Sequence, residues 1–170
     1  MNSELRRKNH GFTLMELLVV MVILSVLVAL ATGTYGTTSR RGRDNRRKND
    51  LRNLATSLEV YYGDKGRYPT SNANGEMVGC GTGDLEVCRW GGEFKDQKNT
   101  FYMVLIPDDP VTGQKYYYVG TTNTYKLYAR LENTYDQGDG VNQAGYASTD
   151  CSDDAAVLCT YGISSGNTKP

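Results

Sequence analysis

Residues 12–31 form an almost unbroken apolar run, Phe12-Thr13-Leu14-Met15 and then a valine- and leucine-rich stretch ending at Ala31, with a single carboxylate, Glu16, near its start. As a helix, ~20 residues reach ~30 Å, the depth of a bilayer's hydrocarbon layer. An acid inside such a segment is costly, roughly 2.5–3.5 kcal/mol at the bilayer centre, so Glu16 is expected to have a partner. A secretory signal would have a shorter apolar core followed by a small-residue cleavage site, whereas here the small residue, Gly11, comes first. Arg6-Arg7-Lys8 upstream predicts a cytoplasmic N-terminus and an exported remainder. The later basic run Arg40, Arg41, Arg43, Arg46, Arg47, Lys48 opposes that rule. The orientation rests on the cysteine-bearing remainder, which needs an oxidising compartment.

The formal charge sums to zero but is unevenly spread: residues 1–53 hold ten Lys/Arg against four Asp/Glu, and residues 54–170 nine against fifteen. A basic stem therefore precedes an acidic head. The head is rich in Gly, Asn and Thr and poor in aliphatic residues, and most of the chain's 13 tyrosines read as fillers of a small core. Its four cysteines fall as Cys80/Cys88 and Cys151/Cys159. Two local disulfides are expected, with the two crossed connectivities as alternatives. A four-thiolate zinc site is the rival, but seven intervening residues exceed the usual two-to-four spacing.

Over residues 44–62, Leu51, Leu54, Ala55, Leu58 and Tyr62 recur at helical spacing, which predicts an amphipathic stem helix with Arg46 and Arg47 off its apolar face. Gly63-Asp64-Lys65-Gly66 should end it. Residues 70–100 show little periodicity, and residues 101–106 read as a helical turn. Lys115 to Val119 and Tyr125 to Leu131 predict a hairpin across Gly120-Thr121-Thr122-Asn123, with Tyr125, Leu127, Ala129 and Leu131 inward and Lys126, Tyr128 and Arg130 outward. Another strand is expected near Val157 to Tyr161, since a lone hairpin is marginal in water.

The segment Gly11-Phe12-Thr13-Leu14-Met15-Glu16-Leu17-Leu18-Val19-Val20 resembles the class III signal of type IV pilins and type II secretion pseudopilins. The resemblance implies a prepilin peptidase cutting between Gly11 and Phe12, N-methylation of Phe12, and an assembly role for Glu16, the fifth mature residue, opposite the freed amine of a neighbouring copy. It implies further partners: copies of the same chain, an inner-membrane assembly platform and the membrane. Where many pilins carry a proline at the twenty-second mature position this chain has Gly33, and with Gly36 it makes a helix joint by different means. Arg67-Tyr68-Pro69 and Asp109-Pro110 through Gly113 are similar to the head of major pseudopilins. That likeness brings in calcium, with Asp136, Asp139 and Asn142 as candidate ligands, although a solvated turn explains them as well and no EF-hand spacing is present.

Catalysis has no foothold. The one histidine, His10, lies in the leader, and Gly79-Cys80-Gly81-Thr82-Gly83 is a poor phosphate cradle. The basic run lacks the interleaved aromatics of a nucleic-acid surface and reads as a solvated or subunit-bridging helix face. The expected fold class is α+β: a leader (1–11), a transmembrane or filament-core helix (12–32), its continuation as a stem (33–62) and an extracytoplasmic head (63–170) bearing a small antiparallel sheet. The expected function is that of a pilin polymerising into a type IV pilus-like filament, needing no cofactor. It would sit in the cytoplasmic membrane before assembly and in an extracellular filament or periplasmic pseudopilus afterwards. The alternatives are a major pseudopilin of a type II secretion system and a membrane-anchored calcium- or ligand-binding module that never polymerises.

Overall fold

The computed structural model describes residues 11–32, 35–153, 157–166 and 168–170. The chain divides into two units, Met1–Ser39 and Arg40–Pro170.

In the first unit, α1 (Leu14–Thr32) starts directly after Thr13. Its side chains from Leu14 through Val28 include no buried residue. Helix α2 (Tyr35–Lys65) runs on into the second unit. There its inward stripe is Asp44, Arg47, Leu51, Leu54, Leu58 and Tyr61, a strict alternation of three- and four-residue steps in which every member is buried. The apolar half of the stripe matches the sequence pattern except at its end, where Tyr61 turns inward and Tyr62 is 38% exposed. Tyr62 instead covers Tyr68, with ring centroids 4.5 Å apart. Gly66, at φ 70°, closes the helix in the left-handed conformation that glycine adopts most cheaply, its N–H donating to the Tyr62 carbonyl at 2.8 Å.

The principal sheet is antiparallel, in the order β6 (Tyr117–Gly120), β7 (Tyr125–Ala129), β8 (Tyr161–Ser164). The hairpin pairs Gly120 with Tyr125 and Tyr117 with Tyr128, around the predicted turn. One face sends Tyr118, Tyr125, Leu127, Ala129 and Tyr161 into the core with the α2 stripe. Tyr128, expected outside, is 5% exposed because the other face is covered as well, by the Cys151–Cys159 disulfide, Tyr117 and Tyr146. The third strand begins at Tyr161, later than the pattern suggested.

Between α2 and this sheet lie short strands that the sequence concealed. β1 (Thr70–Ser71), β2 (Met77–Cys80) and β3 (Glu86–Cys88) form one antiparallel sheet, and β4 (Phe94–Lys95) pairs with β5 (Phe101–Met103). Residues 101–103 are thus strand rather than helical turn. Ile106 is drawn into the core by backbone bonds to Gly91 and Gly92 (2.9 and 2.7 Å). Gly75, at φ 73°, lies so close to the Tyr117 ring that a Cβ would overlap it.

Candidate assembly site

The described part of the N-terminal unit begins with Gly11 and Phe12, both exposed, Phe12 at 86%. Thr13 and Glu16 then satisfy each other reciprocally. The Glu16 N–H donates to Thr13 Oγ1 (3.2 Å), while the Thr13 N–H and hydroxyl both donate to Glu16 Oε2 (2.9 Å each). This is a capping box, in which the third helical residue reaches back over orphan donors at the helix start. The Thr-x-x-Glu spacing that announces it was present in the sequence. The carboxylate is thus placed within one helical turn of Phe12.

Beyond the cap, α1 is apolar on every side: its Leu, Met, Val and Ile side chains from Leu14 to Val28 are between 46% and 84% exposed. Such a surface is absent from ordinary soluble helices, which bury one stripe. Among the described residues no helix is long and apolar enough to cross a membrane. Gly33 of the expected joint lies outside the described residues. Gly36 is helical within α2, and a Cβ there would meet nothing within 4 Å.

The head carries a second constellation, which corrects the reading of the basic run as a solvated face. Arg47 is fully buried. Its guanidinium donates to Asp109 through Nε and Nη2 (2.7 and 2.9 Å), and through Nη1 to Asp44 (2.8 Å) and Glu132 (2.9 Å). Arg43 completes the cluster with two bonds to Glu132 (2.7 and 2.6 Å). The Asp44 carboxylate also accepts the backbone N–H groups of Glu132 and Asn133, each at 2.9 Å. Next along the helix, Lys48 pairs with Asp136 at 2.6 Å and Asp50 accepts the Tyr116 hydroxyl at 2.8 Å. The Arg43 hydrogen bond above all, with Arg47 adding to it, holds the Glu132 carboxyl at about 2 despite its partial burial. Burial works against the charge on Arg47, but its carboxylate partners prevail and raise its pKa. This clasp joins α2 to the loop at Asp109 and to the chain after β7. Only Asp44-x-x-Arg47 hinted at it, because Asp109 and Glu132 are remote in sequence.

The cysteines join as Cys80–Cys88 and Cys151–Cys159, with no free cysteine. Of the calcium candidates, Asp136 accepts from Lys48 and from the Gly138 N–H, Asn142 bonds Gly145 and Ala144 within its own turn, and Asp139 is exposed. Among the described residues no group of three or more His, Cys, Asp or Glu side chains is arranged to hold a metal.

An all-round apolar helix with a reciprocal cap at its start, leading into an α+β head, is the build of a filament subunit of the pilin type. Residues 6–32 match the prokaryotic N-terminal methylation motif. The chain is 32% identical over 127 residues to the type II secretion system core protein G of Pseudomonas aeruginosa, covering 73% of this chain and 84% of that protein. The core protein G of Vibrio cholerae is 26% identical over 136 residues, 79% of this chain and 88% of that protein. The type IV major pilin protein PilA of Myxococcus xanthus is 29% identical over 96 residues, 50% of this chain and 44% of that protein. No solved structure matches. The chain belongs to the type IV pilin and type II secretion pseudopilin family.

Proposed function

We propose that this chain is the structural subunit of a type IV pilus-like filament. It enters the cytoplasmic membrane through residues 12–32, is cut between Gly11 and Phe12 by a prepilin peptidase, and is methylated on Phe12. An inner-membrane assembly platform then passes it into a homopolymer whose surface is formed by the heads. The observation that carries this reading is α1: a helix whose large apolar side chains are all about half or more exposed must be covered by lipid or by other copies. Each valine or leucine so covered contributes roughly 1.5–3 kcal/mol, so the sum over α1 favours burial strongly. Packing such helices against one another gives a dry filament core, and the stiff β-branched valines suit it.

The second reading, a major pseudopilin forming a short periplasmic pseudopilus, is favoured by the extent of the match to the Pseudomonas protein, 84% of that protein's length. Electron microscopy of cells at native expression separates the two. Long surface fibres containing this chain support the first; loss of secreted enzymes on gene deletion, without fibres, supports the second. Mass spectrometry of the mature N-terminus tests both. A chain still beginning upstream of Phe12, or lacking a methyl group on it, overturns the filament reading.

A further inference from the structure

Four of the eight cations of α2 are consumed inside the head: Arg43, Arg47 and Lys48 by the clasp, and Lys65 by Asp84 and Asp96 at 2.9 and 2.8 Å. Arg40, Arg41 and Arg52 are exposed and make no ion pair among the described residues, and Arg46 reaches Asp50 only at 3.7 Å; of these, Arg41 and Arg52 stand eleven residues apart. Eleven residues are about three helical turns, so Arg41 and Arg52 sit on nearly the same side of α2, their backbone positions ~16 Å apart along its axis. Asn45 and Asn49, also exposed, lie between them. Lys48, on the same side between them, is already neutralised by Asp136, and Arg41 borders a small pocket beside Asp44, Tyr135 and Asp136, so the cations this face leaves unpaired are Arg41 and Arg52.

The head's counterpart is an open groove of ≈ 940 Å³, among whose lining residues are Glu76, Arg89, Trp90, Asp108, Lys115 and Asp153. Asp108 has no ion pair among the described residues; its Oδ1 accepts only the Asp109 N–H, at 2.9 Å. Asp153 meets Lys115 no closer than 3.8 Å. Of the four lining carboxylates Asp109 is taken up by Arg47, and the other three, Glu76, Asp108 and Asp153, face two cations, Arg89 and Lys115, which leaves the groove with acid to spare. The indole of Trp90, edge-on to Tyr116 at 5.8 Å, adds an aromatic surface of the kind that guanidinium groups favour.

We propose that the Arg41/Arg52 face of α2 in one copy docks into the Asp108/Asp153 groove of the next. The proposal rests on the filament reading and names the head-level contact within it. Two different patches meeting head to tail form a heterologous interface, and a heterologous interface that does not close on itself generates an open helical polymer. Charge complementarity of this kind fixes register and excludes wrong pairings, because like charges set opposite one another cost several kcal/mol.

The test uses the full-length chain in cells that assemble it, with fibre yield measured after shearing. Arg41→Glu/Arg52→Glu and Asp108→Lys/Asp153→Lys are each expected to lower the yield about tenfold or more, since each sets like charges together. The quadruple variant restores the attraction with its sign reversed. Co-expression of the two double variants restores it too, because copies alternating along the fibre then match at every contact. Recovery in either case, with the head of each variant melting as the wild type does, supports the contact. Wild-type yields from both double variants, or a loss that neither combination recovers, overturns it. Absence of fibres from wild-type cells overturns the filament reading itself, a result distinguishable from both.

Discussion

Replacing Arg47 with methionine removes the one cation that Asp44, Asp109 and Glu132 share, while roughly preserving volume. Glu132 keeps Arg43, and Asp44 keeps two backbone N–H groups. Asp109 fares worst: its side chain is fully buried, and apart from Arg47 its carboxylate accepts only the Val111 N–H, at 2.8 Å. Removing one partner of a buried ion pair costs about 3–5 kcal/mol, chiefly because the other charge stays stranded. Arg47→Met should therefore destabilise the head by that amount and lower its melting temperature by on the order of 10–20 °C. Replacing Asp109 by asparagine in the same chain removes the stranded charge and should recover a large part of the loss. The assay is thermal and urea unfolding followed by circular dichroism, with both disulfides intact, over the full double-mutant cycle. A loss under ~1 kcal/mol for Arg47→Met, in the range of ordinary surface ion pairs, would refute the claim that the clasp holds the loop at Asp109 against α2.

Acid should loosen the same clasp. Glu132 is held at about 2 in the folded head against an ordinary 4.5, so it contributes stability that is complete above its unfolded value and disappears as pH falls from about 4.5 to about 2. Asp96, held at about 2 against 3.8 by Lys65, adds to the same slope. Glu132→Gln should flatten the acid limb of a stability-versus-pH curve, and an unchanged limb would count against the assignment. Opening the Cys151–Cys159 bridge by a double serine replacement uncovers the Tyr128 cluster and should cost about 2–5 kcal/mol, read as a lower urea midpoint. Gly75→Ala should destabilise through both its positive φ and the overlap with Tyr117, by ~1 kcal/mol or more in the same assay.

The parts of the fold written in local patterns were legible in the sequence. The stripe Leu51, Leu54, Leu58 and the hairpin about residues 120–125 repeat over enough residues for their period to show. The strands between α2 and the hairpin are two to four residues long, too short for a period of two to emerge, so the sequence left that region without structure. Alternation alone places Tyr128 in solvent, which holds only when one sheet face is wet; the Cys151–Cys159 loop covers the second face from far along the chain. Arg47 failed for a related reason. A charged residue at an inward helical position reads as an error in the pattern unless its partners are visible, and Asp109 and Glu132 become neighbours only on folding.

Glu16 poses the sharpest remaining question, because its carboxylate has two competing uses. In the free subunit it caps α1 through Thr13. In the filament reading it meets the amine of Phe12 on an adjoining copy, where the charge rather than the hydrogen bond matters. Glu16→Gln separates the two, since glutamine accepts the same N–H and hydroxyl bonds but carries no charge, and Gln serves at the third position of a capping box as Glu does. If charge pairing drives assembly, Glu16→Gln and Glu16→Ala both lose fibres, while leader removal, scored by the mass of the N-terminus, continues in each. If capping is the essential role, Glu16→Gln assembles normally, Glu16→Ala and Thr13→Val fail together, and the charge-pairing account is wrong. Capping contributes ~1 kcal/mol and is fully present in the monomer, so it offers no preference for the polymer. Neutralising two charges that lipid disfavours does offer one, which is why both substitutions are expected to leave the subunit in the membrane.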